Sequence, residues 1–369
     1  MRNKTRILFV LHVPPPVHGS SLVGKRIMDS SLINENFDTR YVNLGTSRSI
    51  DEIGKRGLTK LFIYFRILFN FIKYLVFFRP KLVYIAITAK GVAFYKDMIL
   101  AVMGKWAGAQ LVLHFHNKGV QSHQDRIFDN WLYKKVFRNA KVILLSKQLF
   151  TDVAKYVNPK DVFYCPNGIP AAPEVEIPQA EPGETVQLLS LSNLITTKGI
   201  FTLLEACKQL VEKDLSIYCK FIGSEGDISA EQFMEKVNSL GLQGIAEYGG
   251  RKYGVEKALA YSRADIFVFP THYETFGLVN LEAMQFALPI VSTLEGGIPD
   301  IVEDGVTGFL VPPLDVDKLA EKLEILIKDP ELRRRMGQNG KKRFETHFTI
   351  EIFERRLTEV LKSIASSSG

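Results

Sequence analysis

ADIFVFPTHYETFGLVNLEAMQFALPIVSTLEGGIPDIVEDGVTGFLVPP, residues 264–313, is the stretch that decides the fold class. It opens with a β-rich apolar run over 265–270, enters a polar loop and continues as a helix from about Phe276. Two more apolar runs follow, at 289–293 and 308–311. Short runs with few polar interruptions are typical of strands that are buried on both faces. The stretch therefore predicts parallel strands that are connected by helices.

The same alternation of short apolar runs and helix-length segments extends over the whole chain of 369 residues. Two such series predict an α/β protein with two doubly wound, Rossmann-like domains. Because ligands of open α/β sheets bind beyond the C-terminal strand ends, we expect the two domains to face each other across a cleft. The predicted strands are 6–13, 39–44, 81–87, 110–116, 141–146 and 162–165 in the first domain, and 186–192, 217–222, 245–248, 265–270, 289–293 and 308–311 in the second.

The domain boundaries are predicted from composition. Residues 166–184 contain five prolines and no apolar periodicity, which is typical of a stiff linker. An amphipathic pattern near the end of the chain predicts a helix that could pack back on the first domain, followed by a frayed tail. The predicted order is a first domain over 1–170, a linker over 171–184, a second domain over 185–348, the helix over 349–365 and the tail over 366–369.

Composition and charge exclude several classes of protein. Apolar residues make up 46% and charged residues 24%, which excludes disordered, collagen-like and coiled-coil chains. Three cysteines without CxxC spacing predict a reducing compartment, and the apolar run at 7–13 is too short for a secretory signal. Residues 1–180 hold 26 Lys/Arg and 12 Asp/Glu, whereas 181–369 hold 21 and 28. The basic half predicts an anionic partner; a membrane surface is favoured, since no nucleic-acid-binding motif is present.

Residues 61–78 are apolar except for Arg66, Asn70 and Lys73, which the spacing of four and three places in one stripe of a helix. One interpretation is a helix that packs on the sheet with its polar stripe in water. The other is a helix in the membrane interface, beside anionic lipid. A transmembrane span is disfavoured because two charges would lie inside the bilayer. The first two interpretations are compatible if part of the apolar face stays exposed.

Two carboxylates bracket the start of the helix in the quoted stretch. Glu274 precedes the helix, and Glu282 lies about two turns inside it. The backbone amides of Phe276, Gly277 and Leu278 are expected to be free donors at the helix N-terminus, which suits a diphosphate. Carboxylates accept hydrogen bonds from hydroxyls, so this turn suits a sugar nucleotide. The residues alone leave a simpler alternative, in which Glu274 complements the helix dipole and Glu282 is merely solvated.

The quoted stretch resembles the signature of retaining glycosyltransferases of family 4, which have the GT-B fold. The resemblance implies that Glu274 binds hydroxyls of the donor sugar, that Glu282 binds the ribose, and that the three amides hold the sugar and phosphates. The matching residues are Pro270-Thr271, Glu274, Phe276-Gly277-Leu278, Glu282-Ala283-Met284, Gly296-Gly297-Ile298-Pro299-Asp300, Asp304-Gly305 and Gly308-Phe309-Leu310-Val311.

The diphosphate-binding turn of the family resembles residues 191–200. Lys198 matches a lysine of the family motif and would neutralise charge on the leaving group. Asn193 stands where the family has an arginine, and it carries no charge. Arg251 or Lys252 would then supply the missing cation.

The first half of the chain resembles the family at two strand ends. Gly19 and Ser20 follow the first strand in a loop, Pro14 to Ser21, that would approach the diphosphate. His116 ends the fourth strand and would contact the donor sugar near the reacting carbon. His114 lies on the same face of that strand and is the less suited of the two histidines.

The resemblance implies a retaining, metal-independent glycosyltransferase that moves a sugar from a UDP- or GDP-sugar to a hydroxyl of a saccharide acceptor. The nucleotide-sugar would be a substrate, and neither a cofactor nor a metal is expected. No Walker loop, nucleophile elbow, HExxH or Cys/His zinc pattern points to another chemistry.

The basic half and the apolar helix lead us to expect a lipid-linked acceptor in cell-surface polysaccharide biosynthesis. The protein would be cytoplasmic and peripheral to the inner face of the cytoplasmic membrane. One alternative is a sugar-nucleotide epimerase or hydrolase of the same fold. Another is a non-catalytic, nucleotide-sugar-binding membrane scaffold, which Asn193 in place of arginine would favour.

Overall fold

The computed structural model describes residues 4–15, 19–45, 58–175 and 185–367. The chain forms two compact units. The first comprises Met1–Asn167 and Ile350–Gly369, and the second comprises Gly168–Thr349. Each unit contains a six-stranded sheet in which every pair of neighbouring strands is parallel.

The sheet of the first unit has the strand order β2-β1-β3-β4-β5-β6. Its strands are β1 (Arg6–Leu11), β2 (Asp38–Asn43), β3 (Leu82–Ile87), β4 (Gln110–Phe115), β5 (Lys141–Leu144) and β6 (Val162–Tyr164). Its helices are α1 (Gly19–Asp29), α2 (Ser31–Asn36), α3 (Leu58–Lys73), α4 (Gly91–Trp106), α5 (Ile127–Phe137), α6 (Phe150–Val153) and, from the end of the chain, α14 (Ile350–Ser367).

The sheet of the second unit has the order β12-β11-β10-β7-β8-β9. Its strands are β7 (Val186–Leu191), β8 (Ile217–Ile222), β9 (Ala246–Tyr248), β10 (Ile266–Phe269), β11 (Ile290–Thr293) and β12 (Gly308–Val311). Its helices are α7 (Ile200–Val211), α8 (Ala230–Ser239), α9 (Gly254–Ser262), α10 (Leu278–Gln285), α11 (Ile298–Ile301), α12 (Val316–Lys328) and α13 (Pro330–His347).

All twelve predicted strands are present, and their ends differ from the prediction by at most two residues. The doubly wound, parallel α/β fold class is therefore confirmed. The central strands are buried on both faces, as continuous apolar sequence requires: every residue of β3 is buried, and so is every residue of β10.

The unit boundaries differ slightly from the predicted domains. Residues 168–170 lie in the second unit, where the amide of Ile169 donates to the carbonyl of Phe348 at 3.0 Å. The predicted linker lies largely outside the described residues, at 176–184. The terminal helix is longer than predicted and includes Ser366 and Ser367, whereas 368–369 lie outside the described residues.

Helix α14 packs within the first unit. Phe353, Leu357, Leu361 and Ile364 are buried and belong to one apolar core with residues of α1, α2 and strands β1, β3, β4 and β5. Their spacing of four, four and three residues places them on one face of the helix. Right-handed crossovers place α3, α4 and α5 on the opposite face of the sheet.

Helix α3 is only partly packed against the first unit. Ile67 and Phe71 are buried, and the hydroxyl of Tyr64 donates to the carbonyl of Lys96 in α4 at 2.8 Å. The helix continues as a π-helical turn over Tyr74–Phe78. Ile63, Leu68, Leu75 and Phe78 are half-buried. Seven further large apolar side chains of this segment are exposed: Leu61, Phe62, Phe65, Phe69, Ile72, Val76 and Phe77.

The predicted polar stripe of Arg66, Asn70 and Lys73 is also exposed. Packing on the sheet therefore accounts for only one narrow face of this helix, and an apolar surface remains beside the cations. By length and composition, Lys60–Phe78 could cross a membrane, and only 17% of its most apolar stretch is buried.

Candidate functional site

The centre of the candidate site in the second unit is an ion pair. The ammonium of Lys198 donates to Oε2 of Glu274 at 2.8 Å and contacts the carbonyl oxygen of Tyr273 at 3.3 Å. Both side chains are mostly buried, with 22% and 21% of the side chain exposed. Removal of one partner would leave a poorly solvated charge, so the loss would exceed that from breaking a surface salt bridge.

Two loops are held together so that these residues meet. The loop after β7 contains a short 3₁₀ turn, Thr196–Lys198, and the loop after β10 carries Glu274. The carbonyl of Thr197 accepts hydrogen bonds from the amide of His272 at 2.9 Å and from the hydroxyl of Thr271 at 3.0 Å. Since β7 and β10 are neighbours, their C-terminal ends bring both loops to one edge of the sheet.

Gly199 permits the close approach of the two loops. It adopts the left-handed conformation, with φ of +75°, directly before α7. A Cβ atom at this position would lie 2.0 Å from the carbonyl oxygen of Pro270. Only glycine satisfies both the backbone angle and the space, so this residue places Lys198 beside the loop that carries Glu274.

Helix α10 begins at Leu278, one to two residues later than the predicted start near Phe276 or Gly277, with Gly277 as its N-cap. The expectation of three free amides was wrong for Phe276. Its amide donates to Oε1 of Glu274 at 3.2 Å, as that of Thr275 does at 2.8 Å. Glu274 therefore caps this turn itself. Among the described residues no side chain caps the amides of Gly277 and Leu278, which remain as open donors at the start of α10.

Glu282 is held in place by two neighbours in α9. Lys257 donates to Oε1 at 2.7 Å, and the hydroxyl of Tyr261 donates to Oε2 at 2.9 Å. Tyr261 is fully buried, and burial together with the nearby carboxylate raises the pKa of its hydroxyl well above the usual value. The alternative of a merely solvated Glu282 is wrong, because the side chain is fixed in position and only 24% exposed.

The first unit holds two histidines at the C-terminal end of β4, of which His114 is fully buried and His116 is half-buried. The rings of His114 and His116 lie 4.2 Å apart, and Nδ1 of His114 is hydrogen-bonded to the hydroxyl of Tyr84. Nε2 of His114 and Nδ1 of His116 are buried and have no hydrogen-bond partner in the described part of the chain. Burial, with the charge of His12 as a second cause, lowers the pKa of His116 to about 3, so this ring is neutral at physiological pH.

The depressed pKa of His116 predicts a pH dependence of stability. The unfolded state binds a proton below about pH 6.5, whereas the folded state does not until about pH 3, so stability is lost as the pH falls through this window. At pH 5 the free energy of unfolding is lower by about 2 kcal/mol than at pH 7, since each pH unit below the pKa of the unfolded state costs about 1.36 kcal/mol. We expect the free energy of unfolding of His116→Phe to gain about this amount relative to wild type between pH 7 and pH 5.

Urea unfolding monitored by tryptophan fluorescence measures this difference, because both tryptophans, Trp106 and Trp131, lie in the first unit. Burial raises the pKa of Asp97 to about 6, which gives the opposite pH dependence. This contribution is common to both proteins and cancels in the comparison. A difference between them that does not change with pH would contradict the assignment of a neutral His116.

Gly19 and Ser20 form the first two positions of α1. The preceding residues of the predicted phosphate-binding loop, Pro16 to His18, lie outside the described residues. Helix α1 lies very close to the end of β1, since a Cβ atom at Gly24 would be 2.0 Å from the carbonyl oxygen of His12. This contact holds α1 near the C-terminal end of β1, where the predicted phosphate-binding loop begins.

The comparison with known families identifies the second unit. Residues 173–343 match the model of the family described as glycosyl transferases group 1. The second unit is therefore similar to glycosyl transferases group 1 over most of its length. The match contains the Lys198–Glu274 pair, the start of α10 and Glu282.

One curated relative to which this chain is similar is the capsular polysaccharide biosynthesis glycosyltransferase CapM of Staphylococcus aureus. It is 32% identical over 178 residues, which make up 48% of this chain and 46% of CapM. For seven further curated relatives the match spans between 29% and 63% of the relative's own length. The chain therefore spans about half the length of the curated relatives that it matches.

Solved structures with similar coordinates show the fold of the whole chain. Sucrose-phosphate synthase from Thermosynechococcus elongatus matches with a TM-score of 0.76 at 20% identity, covering 99% of this chain and 100% of that chain. HepE from Anabaena in complex with UDP matches with a TM-score of 0.73 at 17% identity, covering 97% and 100%. These matches confirm the GT-B fold.

Two predicted site residues of the second unit, Asn193 and Arg251, do not contact the Lys198–Glu274 ion pair. Oδ1 of Asn193 accepts a hydrogen bond from the amide of Ser224 at 3.2 Å and so connects the loops after β7 and β8. The guanidinium of Arg251 lies over the ring of Tyr253, 4.5 Å from its centroid. Arg251 contacts neither Lys198 nor Glu274, so its expected replacement of the family arginine stays a prediction.

The sequence analysis did not identify two further residues that lie beside the candidate site, Glu295 and Asn280. Oε1 of Glu295 accepts a hydrogen bond from the amide of Glu274 at 3.1 Å. Asn280 is fully buried beside Gly277, and neither polar atom of its side chain has a hydrogen-bond partner among the described residues. A polar side chain in the middle of an apolar helix was the available signal, because a buried amide without partners is costly unless a ligand or water satisfies it.

Proposed function

We propose that this protein is a retaining glycosyltransferase that transfers a sugar from a nucleotide-sugar to a hydroxyl of a lipid-linked saccharide. The observation that carries the proposal is the ion pair of Lys198 and Glu274 at the open N-terminus of α10. It combines a cation and two free amides for a diphosphate with a fixed carboxylate for sugar hydroxyls. Glu282, held by Lys257 and Tyr261, supplies a second acceptor two turns along the helix for the ribose.

Lys198 and Glu274 would exchange partners when the donor binds. Without donor, each charge neutralises the other. A diphosphate at the amides of Gly277 and Leu278 would attract the ammonium of Lys198. A hydroxyl of the donor sugar would then donate a hydrogen bond to the carboxylate of Glu274. Binding would therefore replace one charge-assisted contact with several, which favours a complete nucleotide-sugar over a free phosphate.

The transfer step balances without a metal ion. The bond between the anomeric carbon and the leaving phosphate oxygen breaks, while the acceptor oxygen bonds to that carbon from the same face. The acceptor proton passes to the leaving phosphate. Lys198 and the two amides would stabilise the negative charge that develops on the diphosphate. His116, neutral because of burial, would accept or donate a hydrogen bond at the donor sugar.

The first unit supports a membrane-bound acceptor. Phe62, Phe65 and Phe69 of α3 are 73%, 59% and 68% exposed, and they lie beside the exposed cations Arg66 and Lys73. An apolar stripe next to a cationic stripe is typical of helices that lie in the interface of an anionic membrane. We therefore propose that the protein is cytoplasmic and peripheral to the inner face of the cytoplasmic membrane. We also propose that it acts in cell-surface polysaccharide biosynthesis, since the name of CapM includes capsular polysaccharide biosynthesis.

Nucleotide binding is the first test of the proposal. We expect one of UDP, GDP, ADP, dTDP and CDP, and its sugar conjugate, to raise the melting temperature of the wild type. UDP is the first candidate, since HepE is described with UDP. At a hundred times the dissociation constant, the stabilisation is about 2.7 kcal/mol. Glu282→Ala is expected to lose this shift. The control is Glu324→Gln, which breaks an ion pair with Lys213 outside the candidate site and is expected to keep the shift.

The reaction itself distinguishes the proposal from its alternatives. We expect the sugar to appear on an added lipid-linked acceptor with retained configuration, as measured by NMR of the product. An epimerase or hydrolase would instead consume the donor at the same rate without acceptor. A scaffold would bind the donor and leave it unchanged, which is the outcome that Asn193 in place of arginine would explain.

A further inference from the structure

A cavity lies in the first unit, at the edge of the sheet where the strands begin. It has a volume of about 450 Å³ and includes the residues that precede or start β3, β4 and β5. His116 lies at the opposite, C-terminal end of the same strands. The cavity is therefore not the candidate site described above. Six of its lining residues are Lys81, Lys105, Gln110, Lys135, Arg138 and Asn139.

The lining of the cavity is positively charged, and no acidic side chain in the lining neutralises it. Four of its side chains are Lys or Arg, and no lining residue carries a carboxylate. None of the four forms an ion pair within the described part of the chain. The surrounding sequence has the same bias, since residues 58–124 contain nine Lys/Arg and a single acidic residue, Asp97, which is buried. Like charges collected around an open cavity repel one another, and a bound anion would relieve this repulsion.

Capping of the helix explains only one of the four cations. The ammonium of Lys105 donates to the carbonyl oxygens of Lys135, Val136 and Arg138 at 2.8, 2.7 and 2.5 Å, so it satisfies the C-terminus of α5 with all three of its protons. Burial and the charge of Arg138 lower the pKa of Lys105 to about 8. Lys81, Lys135 and Arg138 are not needed for this cap, and no carboxylate neutralises them in the described part of the chain.

Both tryptophans of the chain belong to the helices that border this cavity. Trp106 ends α4 next to Lys105 and is 83% exposed. Trp131 of α5 is 51% exposed, and the ammonium of Lys135 lies 3.7 Å from its ring centroid. Large exposed aromatic rings beside cations are typical of proteins at the headgroup level of a membrane, where the ring is half in lipid and the cation contacts phosphate.

We propose that Lys81, Lys135 and Arg138 form a binding site for the phosphate of an anionic phospholipid headgroup, with Trp106 and Trp131 inserted at the membrane interface around it. The cavity is large enough for a phosphodiester, and its lining supplies cations and side-chain amides as donors. The choice of a lipid over a soluble phosphate rests on the proposed membrane-facing function and on the exposed tryptophans. Lys81 follows the π-helical turn at the end of α3 by three residues. The phosphate site and the end of α3 would therefore contact the same membrane surface.

Vesicle binding of the full-length protein tests the inference. Wild type is compared with the triple variant Lys81→Gln, Lys135→Gln, Arg138→Gln on vesicles of phosphatidylcholine alone and of an equimolar mixture with phosphatidylglycerol. We expect the triple variant to partition about 100-fold more weakly to the anionic vesicles, from three cations near the surface. The control variant Arg335→Gln, Lys341→Gln, Lys342→Gln removes three exposed cations of α13, and its partitioning is expected to change less than about three-fold.

Tryptophan fluorescence distinguishes the two sources of phosphate. Binding of anionic vesicles is expected to shift the emission to shorter wavelengths in wild type, because both tryptophans lie at the proposed surface. Inorganic phosphate and glycerol 3-phosphate are expected to leave the emission unchanged at millimolar concentration. A response to these soluble phosphates that equals the response to vesicles would overturn the choice of a lipid.

A failure of this inference is separable from a failure of the proposed function. Equal partitioning of the triple variant and wild type would remove the cavity as a lipid site, while nucleotide binding and sugar transfer in detergent would stay intact. In that case a triple change of Phe62, Phe65 and Phe69 to Ser tests α3 alone. Conversely, selective loss of vesicle binding in a protein that binds no nucleotide would support the cavity and contradict the glycosyltransferase proposal.

Discussion

Glu274→Gln is expected to lower kcat/KM for sugar transfer by about 100- to 1,000-fold, the range observed when one preorganised charge-stabilising contact is removed. Glutamine keeps the shape of the side chain and an oxygen that can accept the amides of Thr275 and Phe276. It removes the charge that faces Lys198 at 2.8 Å and that would accept the hydroxyls of the donor sugar. Steady-state kinetics with the nucleotide-sugar identified by thermal shift measure the effect.

A double-mutant cycle tests whether the two residues act together. We expect Lys198→Gln to cause a loss of similar size, and the double variant to be less than about ten-fold worse than either single variant, because residues that act as a unit are strongly non-additive. Glu324→Gln serves as the control, since it breaks an ion pair of 2.6 Å with Lys213 on the surface of the same unit. Additive losses would show that Lys198 and Glu274 contribute separately, and an unchanged kcat/KM in Glu274→Gln would contradict the assigned role.

Gly199→Ala is expected to have the largest effect on stability, a loss of more than about 3 kcal/mol in the free energy of unfolding. The left-handed backbone alone costs alanine about 1–2 kcal/mol. The larger part comes from the Cβ atom, which would lie 2.0 Å from the carbonyl oxygen of Pro270, so that the two loops must separate. Their separation would also move Lys198 away from Glu274, and we expect nucleotide binding to be lost together with stability.

The matched control is Gly244→Ala in the same unit. Gly244 has a nearly identical φ of +76°, but a Cβ atom there would have no neighbour within 4 Å. Its substitution therefore measures the backbone cost alone, expected at about 1–2 kcal/mol. Urea unfolding followed by circular dichroism compares the two variants. Equal losses at Gly199 and Gly244 would show that the loops are not held together by close approach at Gly199.

The second unit shows how closely sequence can approach a fold and a site when the pattern is local. Strands β10, β11 and β12 were predictable because each is a short apolar run between turn residues. The nearness of Glu274 to the start of α10 followed from their separation along the chain. What the sequence could not indicate is that Glu274 accepts the amide of Phe276, since this depends on the conformation of a loop without a repeating pattern.

The first unit shows the opposite case. The polar stripe of α3 was readable from spacing, but the pattern did not distinguish which apolar side chains would be buried. The structure buries Ile67 and Phe71 and leaves Phe62, Phe65 and Phe69 in contact with solvent, because the helix meets the unit along one narrow face only. Similarly, Lys81, Lys105 and Arg138 are far apart in sequence and share a cavity only because β3, β4 and β5 lie side by side.

By itself the sequence determined the twelve strands, their parallel arrangement in two series and the residue types of the donor site, because these depend on local periodicity and on short spacings. The tertiary structure alone decided that Lys198 meets Glu274 across 76 positions, that Glu282 is fixed by Lys257 and Tyr261, and that four cations surround one cavity. Such contacts join segments whose proximity is set by strand order and crossover direction, and these depend on the packing of the whole unit rather than on any local pattern.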